Sequence, residues 1–258
     1  MKIATFNINN IRRRLQNLLS WLEATSPDVV CLQELKATDR QFPYAEIERA
    51  GYGAAWVGEL SWNGVAILVR DAEPIVTQRS LPGDAGDRQR RYLEAAVKGF
   101  LVGCLYAPNG NPQPGPKFEY KLAWLDRLVN HAEQLLHAGV PVILAGDYNV
   151  VPTPFDMYVS SSWTQDALVQ PASRERFAAL LGQGWVDAIR HVHPQVPMYS
   201  FWDYMRKRWE RDAGLRIDHL LVAPGRFEIL DAGVDRLVRG EPGASDHAPA
   251  WVEIELSA

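Results

Sequence analysis

The feature that most constrains the fold is a repeated pattern of short apolar runs that end abruptly in polar residues. Each run is rich in β-branched side chains, which is typical of strands buried on both faces. The predicted strands cover residues 2–9, 28–36, 64–70, 100–110, 141–149, 216–224 and 247–256. The last of these alternates apolar and polar residues, as a half-exposed strand does.

Helical segments separate several of these strands. Apolar residues recur at helical spacing in residues 11–25, 117–138 and 173–184. Gly139 and Pro141 follow the second segment and are typical of a helix end. The alternation of strands and helices predicts a layered α/β fold. No linker rich in Ser and Gly divides the chain, so we expect a single domain over residues 1–258.

Composition excludes the disordered, collagen-like and disulfide-stapled classes of protein. The chain is 47% hydrophobic and 22% charged, and its 258 residues can bury a core without disulfides. Cys31 and Cys104 lie inside apolar runs, which predicts buried free thiols. The sequence has neither an apolar signal segment at its start nor a run of ~18 apolar residues. We therefore expect a cytoplasmic protein with no membrane partner.

The charge distribution is uneven. A formal net charge of −4 argues against general electrostatic attraction to nucleic acid. However, residues 206–216 contain five basic and two acidic side chains, and residues 12–14 and 88–91 hold two further basic clusters. This pattern is compatible with a groove that follows phosphates around an acidic centre.

Polar side chains follow the predicted strands at the points where the strands end. They are Asn7, Asn9, Glu34, Tyr106, Asn109, Asp147, Asn149, Asp218, Asp246 and His247. Active sites of α/β proteins lie at strand ends, so we expect these side chains to converge. Any one of them alone is better explained as a turn former or a structural histidine. Their coincidence at six segments favours an active site.

The chemistry of this set is that of oxygen ligands. Carboxylates and amides without thiolates suit Mg²⁺ or Mn²⁺. His247 follows Asp246, and Asp218 is a candidate partner that would orient its imidazole. The sequence contains no G-x-S-x-G, no Walker loop and no G-x-G-x-x-G, which argues against serine hydrolases and nucleotide-binding proteins.

Seven motifs together resemble one family. They are FNIN (6–9), CLQELK (31–36), YAPNG (106–110), GDYNVVPTP (146–154), FWDYM (201–205), LRIDHLL (215–221) and SDHAP (245–249). In this order they resemble the exonuclease III family of DNA repair nucleases, within the endonuclease/exonuclease/phosphatase superfamily. The resemblance implies a four-layer α/β sandwich, in which helices flank two central mixed sheets. It also implies phosphodiester hydrolysis that depends on Mg²⁺ or Mn²⁺.

The resemblance also assigns roles to the metal-binding residues. Glu34 corresponds to the principal metal ligand of the family, and Asn7 lies beside it. Asp246 corresponds to an acid in the network that joins the metal to the histidine. We therefore expect Asn7, Glu34 and Asp246 to hold the ion.

Five further residues correspond to catalytic positions. Asp147 matches the residue that activates or orients water, and Asn149 matches its polar neighbour. Tyr106 matches the phenol near the scissile phosphate. His247 matches the imidazole that contacts the phosphate, and Asp218 matches the carboxylate that orients it.

Residues 199–217 interleave aromatic and basic side chains, which is typical of a DNA contact. By resemblance, Phe201, Leu215 and Ile217 line a pocket for a base-less sugar, although some relatives carry Trp at the position of Leu215. The further predicted DNA contacts are Arg90, Arg91, Asn109, Trp202, Met205 and Arg206. The alternative interpretation of this segment is an amphipathic lid that packs on the core.

These observations predict a DNA repair nuclease. It would cut the phosphodiester 5′ to abasic sites and would remove nucleotides or blocking groups from 3′ ends. Its partner would be duplex DNA, abasic or 3′-blocked, and it would act as a monomer in the cytoplasm, at the nucleoid in a bacterium. Two alternatives remain open. One is a phosphoesterase of the same superfamily that acts on a lipid or small phosphoester, and the other is a catalytically inactive DNA-binding module.

Overall fold

Two six-stranded mixed sheets form the centre of the computed structural model, which describes residues 1–160 and 163–256. The strands are β1 (Lys2–Asn7), β2 (Val29–Gln33), β3 (Tyr52–Val57), β4 (Val65–Arg70), β5 (Ile75–Gln78), β6 (Tyr92–Val97), β7 (Phe100–Tyr106), β8 (Val142–Asp147), β9 (Val186–Asp187), β10 (Asp218–Val222), β11 (Phe227–Val234) and β12 (Ala250–Leu256). The first sheet has the order β11-β12-β1-β2-β4-β3, and the second has the order β5-β6-β7-β8-β10-β9.

Each sheet contains one parallel pair at its centre. These pairs are β1 with β2 and β7 with β8, and the other neighbouring strands in the described ranges run antiparallel. Of these strands, β2 and β8 are buried along their whole length, as parallel strands covered on both faces are.

Helices pack on the outer faces of the sheets, except the short helix of residues 188–192, which packs into the core between them. They are α1 (Leu15–Thr25), α2 (Tyr44–Arg49), α3 (Pro116–His137), α4 (Pro171–Gly182) and α5 (Ala188–Val192). Residues of α1 and α2 pack on the first sheet, and residues of α3 and α4 pack on the second. A third core lies between the two sheets, and it buries both cysteines as free thiols. The four-layer α/β sandwich is therefore confirmed.

The strand register brings the ends of several strands to the same place. Tyr106 at the end of β7 lies beside Asp147 at the end of β8, and Asp147 lies opposite Asp218 at the start of β10. In the other sheet, Asn7 ends β1 next to Gln33 at the end of β2. Side chains from both sheets can therefore meet at one end of the sandwich.

The predicted helix over residues 11–25 begins later, at Leu15. Residues 10–14 instead form a turn, in which the Asn10 side chain accepts a hydrogen bond from the Arg13 amide. Within the described ranges, no helix combines the length and apolar character needed to cross a bilayer.

Candidate active site

A cavity of about 250 Å³ lies where these strand ends meet. Its lining includes Glu34, Tyr106, Asp147, Asn149, Asp246 and His247. The structure therefore brings together polar side chains from positions as far apart in the sequence as Glu34 and His247, as the strand-end pattern predicted.

The backbone turns sharply at two of the positions that build the cavity. Glu34 follows β2 and has a φ of 52°, and Asn149 follows β8 and has a φ of 51°. Asn tolerates the left-handed region, but for Glu it is uncommon and costs roughly 1–2 kcal/mol. The carboxylate of Glu34 is thus held in the cavity by a strained turn, a feature that clusters at functional sites.

Asn7 connects the two sheets through its side-chain amide. Its Nδ2 donates to Glu34 Oε1 at 2.9 Å and to Asp147 Oδ2 at 3.0 Å. Its Oδ1 accepts from the backbone amide of Asn9. Asn7 therefore presents its donor group to both carboxylates. The expectation that its amide oxygen binds a metal stays a prediction.

Tyr106 and His247 are held by carboxylates. The Tyr106 hydroxyl donates to Glu34 Oε1 at 2.8 Å. The His247 ring lies between two acids, with Nδ1 2.8 Å from Asp218 Oδ2 and Nε2 3.9 Å from Asp147 Oδ2. The predicted pairing of Asp218 with His247 is present in the structure.

The surroundings shift the proton affinities of these groups. Burial lowers the pKa of His247, but the charge and hydrogen bond of Asp218 and the charge of Asp147 outweigh it and raise the pKa to about 10. Burial and the neighbouring Asp218 raise the pKa of Asp147 to about 7. Burial and the nearby carboxylates of Glu34 and Asp147 keep the pKa of Tyr106 well above its usual value. At neutral pH the site therefore contains an imidazolium and a protonated phenol.

Sequence reasoning assigned no role to Lys36, which contacts one of the cavity carboxylates. Lys36 Nζ lies 2.7 Å from Glu34 Oε2 and donates to Asn9 Oδ1 at 2.7 Å. Asn9 Nδ2 donates to Asp246 Oδ1 at 2.8 Å. Burial opposes ionisation of Glu34, but Lys36 and Asn7 overcome it and lower the pKa of Glu34. The two-residue spacing of Glu34 and Lys36 in LQELK was the signal that could have identified this lysine.

The donor set fits a hard divalent cation. Carboxylate oxygens of Asp147 and Asp218 lie within 4.8 Å of one another, and the carboxylates of Glu34 and Asp246 line the same cavity. The buried Asp218 Oδ1 has no hydrogen-bond partner. Four carboxylates face two cationic side chains, Lys36 and His247, so further positive charge would be accommodated.

Several predicted DNA contacts lie around the cavity. The Arg91 guanidinium lies 4.7 Å from the centre of the Tyr106 ring, and Arg90 is exposed nearby. Asn109 Nδ2 donates to Asn149 Oδ1 at 3.3 Å. Met205 and Arg206 are exposed on a turn in which Arg206 has a φ of 59°.

The predicted sugar pocket is only partly assembled as expected. Phe201 and Ile217 line the cavity, and the Phe201 ring centre is 4.9 Å from that of His247. Leu215 is fully buried in an apolar cluster with Trp163 and does not line the cavity. Trp202 is also buried, and its indole donates to Asp212 at 3.1 Å. The prediction that Trp202 contacts DNA is wrong, because its ring belongs to the packed base of this segment.

Comparisons with known proteins agree with this geometry. The profile of the Endonuclease/Exonuclease/phosphatase family matches residues 4–247. The chain is 32% identical to exodeoxyribonuclease III of Haemophilus influenzae, over 99% of this chain and 100% of the relative. An AP endonuclease structure from Archaeoglobus fulgidus superposes with a TM-score of 0.92 at 33% identity, over 99% of both chains. The 3′ phosphatase NExo from Neisseria, bound to a product DNA hairpin, superposes with a TM-score of 0.94 at 34% identity, also over 99% of both chains.

Proposed function

This chain belongs to the Endonuclease/Exonuclease/phosphatase family, and on that basis we propose that it is a metal-dependent DNA repair nuclease. It hydrolyses the phosphodiester 5′ to abasic sites and processes the 3′ ends of duplex DNA, as a monomer in the cytoplasm. The sequence similarity to an exodeoxyribonuclease III and the structural similarity to an AP endonuclease support this reaction class.

One observation supports the proposal most strongly. Glu34, Tyr106, Asp147 and His247 meet in one cavity and are joined to Asn7 and Asp218 by hydrogen bonds. Phosphodiester hydrolysis needs a base for the attacking water and positive charge for the phosphate oxygens. This set supplies both from a single location.

Glu34 and Asp246 are the carboxylates that would hold Mg²⁺ or Mn²⁺. When bound, the ion supplies positive charge to the phosphate oxygens. Asn7 donates to Glu34 and Asp147 and so fixes the distance between the metal-binding side of the cavity and the base.

The remaining residues act on protons and on the phosphate. Asp147 takes the proton from the attacking water, and its raised pKa of about 7 suits a base that works near neutral pH. His247, kept as an imidazolium by Asp218, neutralises a phosphate oxygen. Tyr106 remains a hydrogen-bond donor because its pKa is high. Asn149 and Asn109 add amide donors at the rim.

A second candidate activity is removal of a 3′ phosphate. It is favoured by the similarity to the 3′ phosphatase NExo. The same residues would perform it, since in both reactions water attacks the phosphorus and the 3′ oxygen leaves, and only the other substituent of the phosphate differs.

The test uses three labelled duplexes. The first contains a mid-strand tetrahydrofuran abasic analogue, the second has an undamaged recessed 3′ end, and the third has a 3′ phosphate. Each is incubated with enzyme in Mg²⁺ and in EDTA, and products are resolved at single-nucleotide resolution. A Glu34→Gln variant purified in parallel controls for contaminating nucleases. A single Mg²⁺-dependent cut at the lesion supports the abasic endonuclease, and a 3′ ladder or phosphate loss alone supports 3′-end processing. No product from any duplex would contradict the proposal and favour a non-DNA phosphoesterase or an inactive module.

A further inference from the structure

A buried lysine lies directly behind the active-site loops. Lys121 belongs to α3, and its side chain is fully buried. In the described ranges its ammonium has no carboxylate as an ion-pair partner; it donates instead to two backbone carbonyls. Burying an ammonium without a counter-ion costs free energy. The two carbonyls that accept its hydrogen bonds therefore indicate the role of the lysine.

The two carbonyls belong to two different loops. Lys121 Nζ donates to the carbonyl of Asn109 at 3.0 Å and to the carbonyl of Asn149 at 2.5 Å. Asn109 follows β7 and Asn149 follows β8, so one ammonium joins the loops at the ends of both central strands.

The lysine stem is also closely packed. A Cβ added at Gly110 would lie 2.6 Å from Lys121 Cδ, so the loop backbone rests directly on the stem. Gly110 has a φ of 91°, a conformation that few other residues adopt. The loop after β7 is therefore shaped to fit this lysine.

The side chains on these loops depend on their relative position. Asn109 Nδ2 donates to Asn149 Oδ1 at 3.3 Å, and Asn149 Nδ2 donates to the Ala107 carbonyl at 2.9 Å. The backbone N–H of Asn149 donates to Asp147 Oδ1 at 2.8 Å. A shift of either loop would therefore move the amide donors relative to Asp147.

Burial makes the charged form of Lys121 less favourable than it is in water. It lowers the pKa of Lys121 to about 7, although the negative charges of Asp147 and Asp166 act against that decrease. Both the ammonium and the neutral amine have enough N–H groups to donate to the two carbonyls, so these contacts do not depend on the charge of the lysine.

We propose that Lys121 is a positioning residue for phosphodiester cleavage, which acts by joining the loops that carry Asn109 and Asn149. The proposal rests on the function proposed above. It assigns Lys121 no contact with substrate, so its effect should appear in the rate of the chemical step more than in DNA binding.

The first test compares Lys121→Met and Lys121→Gln with the wild-type enzyme on the abasic-analogue duplex in Mg²⁺. Misplaced groups can lower a rate by up to about 10²-fold, so we expect kcat of Lys121→Met to fall roughly 10–100-fold. KM should change by less than about threefold. Lys121→Gln can still donate to a carbonyl and should be intermediate. Leu128→Ala, in the same helix and fully buried, is the control, since it should lower stability and leave kcat of the folded protein unchanged.

A double-mutant cycle separates positioning from general destabilisation. In an Asn109→Ala background, Lys121→Met should lower kcat by much less than it does in the wild type, because one of the amides that it positions is gone. An unchanged kcat in Lys121→Met, or a full effect in both backgrounds, would overturn the proposal. If Lys121→Met does not fold, the same cycle is made with Lys121→Gln. Absence of Mg²⁺-dependent cleavage by the wild type would instead reject the proposed function.

Discussion

Two groups of charged side chains lie side by side in the protein and differ in whether their charges balance. The arginine network consists of Asp156, Asp187, Arg190, Arg216 and His219. The carboxylate cluster consists of Glu34, Asp147, Asp218 and Asp246 with Lys36 and His247. Arg216 and Asp218 are two residues apart, yet each belongs to a different group.

The charges of the arginine network balance, although the buried Arg216 Nη2 has no hydrogen-bond partner. Arg216 lies 2.7 Å from Asp156 Oδ1 and 2.8 Å from Asp187 Oδ2, and Arg190 pairs with the same Asp156 oxygen. Two arginines face two aspartates, and burial followed by the charge of Arg216 lowers the pKa of His219 to about 4, which keeps it neutral. A balanced group of this kind can hold the fold together without any ligand.

The carboxylate cluster is unbalanced and open to a cavity. Its four acids exceed its two cations, and its histidine has a raised pKa, opposite to that of His219. Both groups bury charged side chains, so burial of charge does not distinguish them. The comparison indicates that the functional site differs from the structural network by its excess of negative charge.

The largest expected effect on stability comes from opening the arginine network. Arg216→Met leaves Asp187 without its arginine and should lower the free energy of unfolding by about 3–5 kcal/mol. Arg49→Met, which removes a surface pair with Glu46, should change it by less than about 1 kcal/mol. Urea denaturation measures both variants. Equal free energies of unfolding for the two variants would contradict a structural role of the arginine network.

His247→Asn should affect catalysis more than folding. Loss of an imidazolium aimed at the phosphate should reduce kcat roughly 10²–10³-fold. Single-turnover cleavage of the abasic-analogue duplex measures this, with circular dichroism to confirm that the variant is folded. A rate within threefold of the wild type would show that His247 is not the charge that the phosphate requires.

The two buried histidines should give opposite dependences of stability on pH. The pKa of His219 is about 4 in the fold and about 6.5 in the unfolded chain, so its contribution to stability is complete above pH 6.5 and is lost as the pH falls towards 4. That loss approaches about 3 kcal/mol. The contribution of His247, with a pKa of about 10, is present below pH 6.5 and is lost as the pH rises through 10.

The measurement is urea denaturation from pH 4.5 to 7 of the wild type and of His219→Gln, which retains a side-chain donor. The wild type should lose more stability across this range than the variant does. Parallel curves would mean that His219 is not kept neutral by the network.

The smallest expected effect is stabilisation by the metal. Mg²⁺ at about ten times its dissociation constant should add about 1.4 kcal/mol and raise Tm by roughly 3–5 °C. Glu34→Gln should lose most of this shift, whereas Arg49→Met should retain it. A full shift in Glu34→Gln would place the ion elsewhere.

Sequence patterns predict the parts of the fold that are buried on both faces. The apolar runs at β1, β2, β4, β7, β8, β10 and β12 were identified, whereas β3, β5, β6, β9 and β11 were not. β5 is largely exposed and β9 has two residues. β6 is mostly buried, but it contains Glu94 and two alanines instead of a β-branched run. Such strands lack the continuous apolar pattern because neighbouring strands supply their stability.

The site was predictable where residue type alone determines the role. Carboxylates and a histidine at strand ends could be identified, but the orientation of the Asn7 amide could not, because its partners are 27 and 140 residues away. Trp202 has the same type of sequence context as an exposed DNA contact, and only the packing of its segment shows that it is buried. Tertiary contacts, which a local pattern does not contain, decide these cases.

The most direct test compares Asp147→Asn with Asp156→Asn, since both aspartates are almost fully buried and each belongs to one of the two groups. Mg²⁺-dependent kcat and Tm are measured for each variant. Asp147→Asn should lose at least about 10²-fold in kcat and retain its Tm, because it removes a base and relieves repulsion with Asp218. Asp156→Asn should lose Tm and keep kcat within tenfold while folded. Loss of Tm without loss of kcat in Asp147→Asn would contradict the assignment of the carboxylate cluster as the catalytic site.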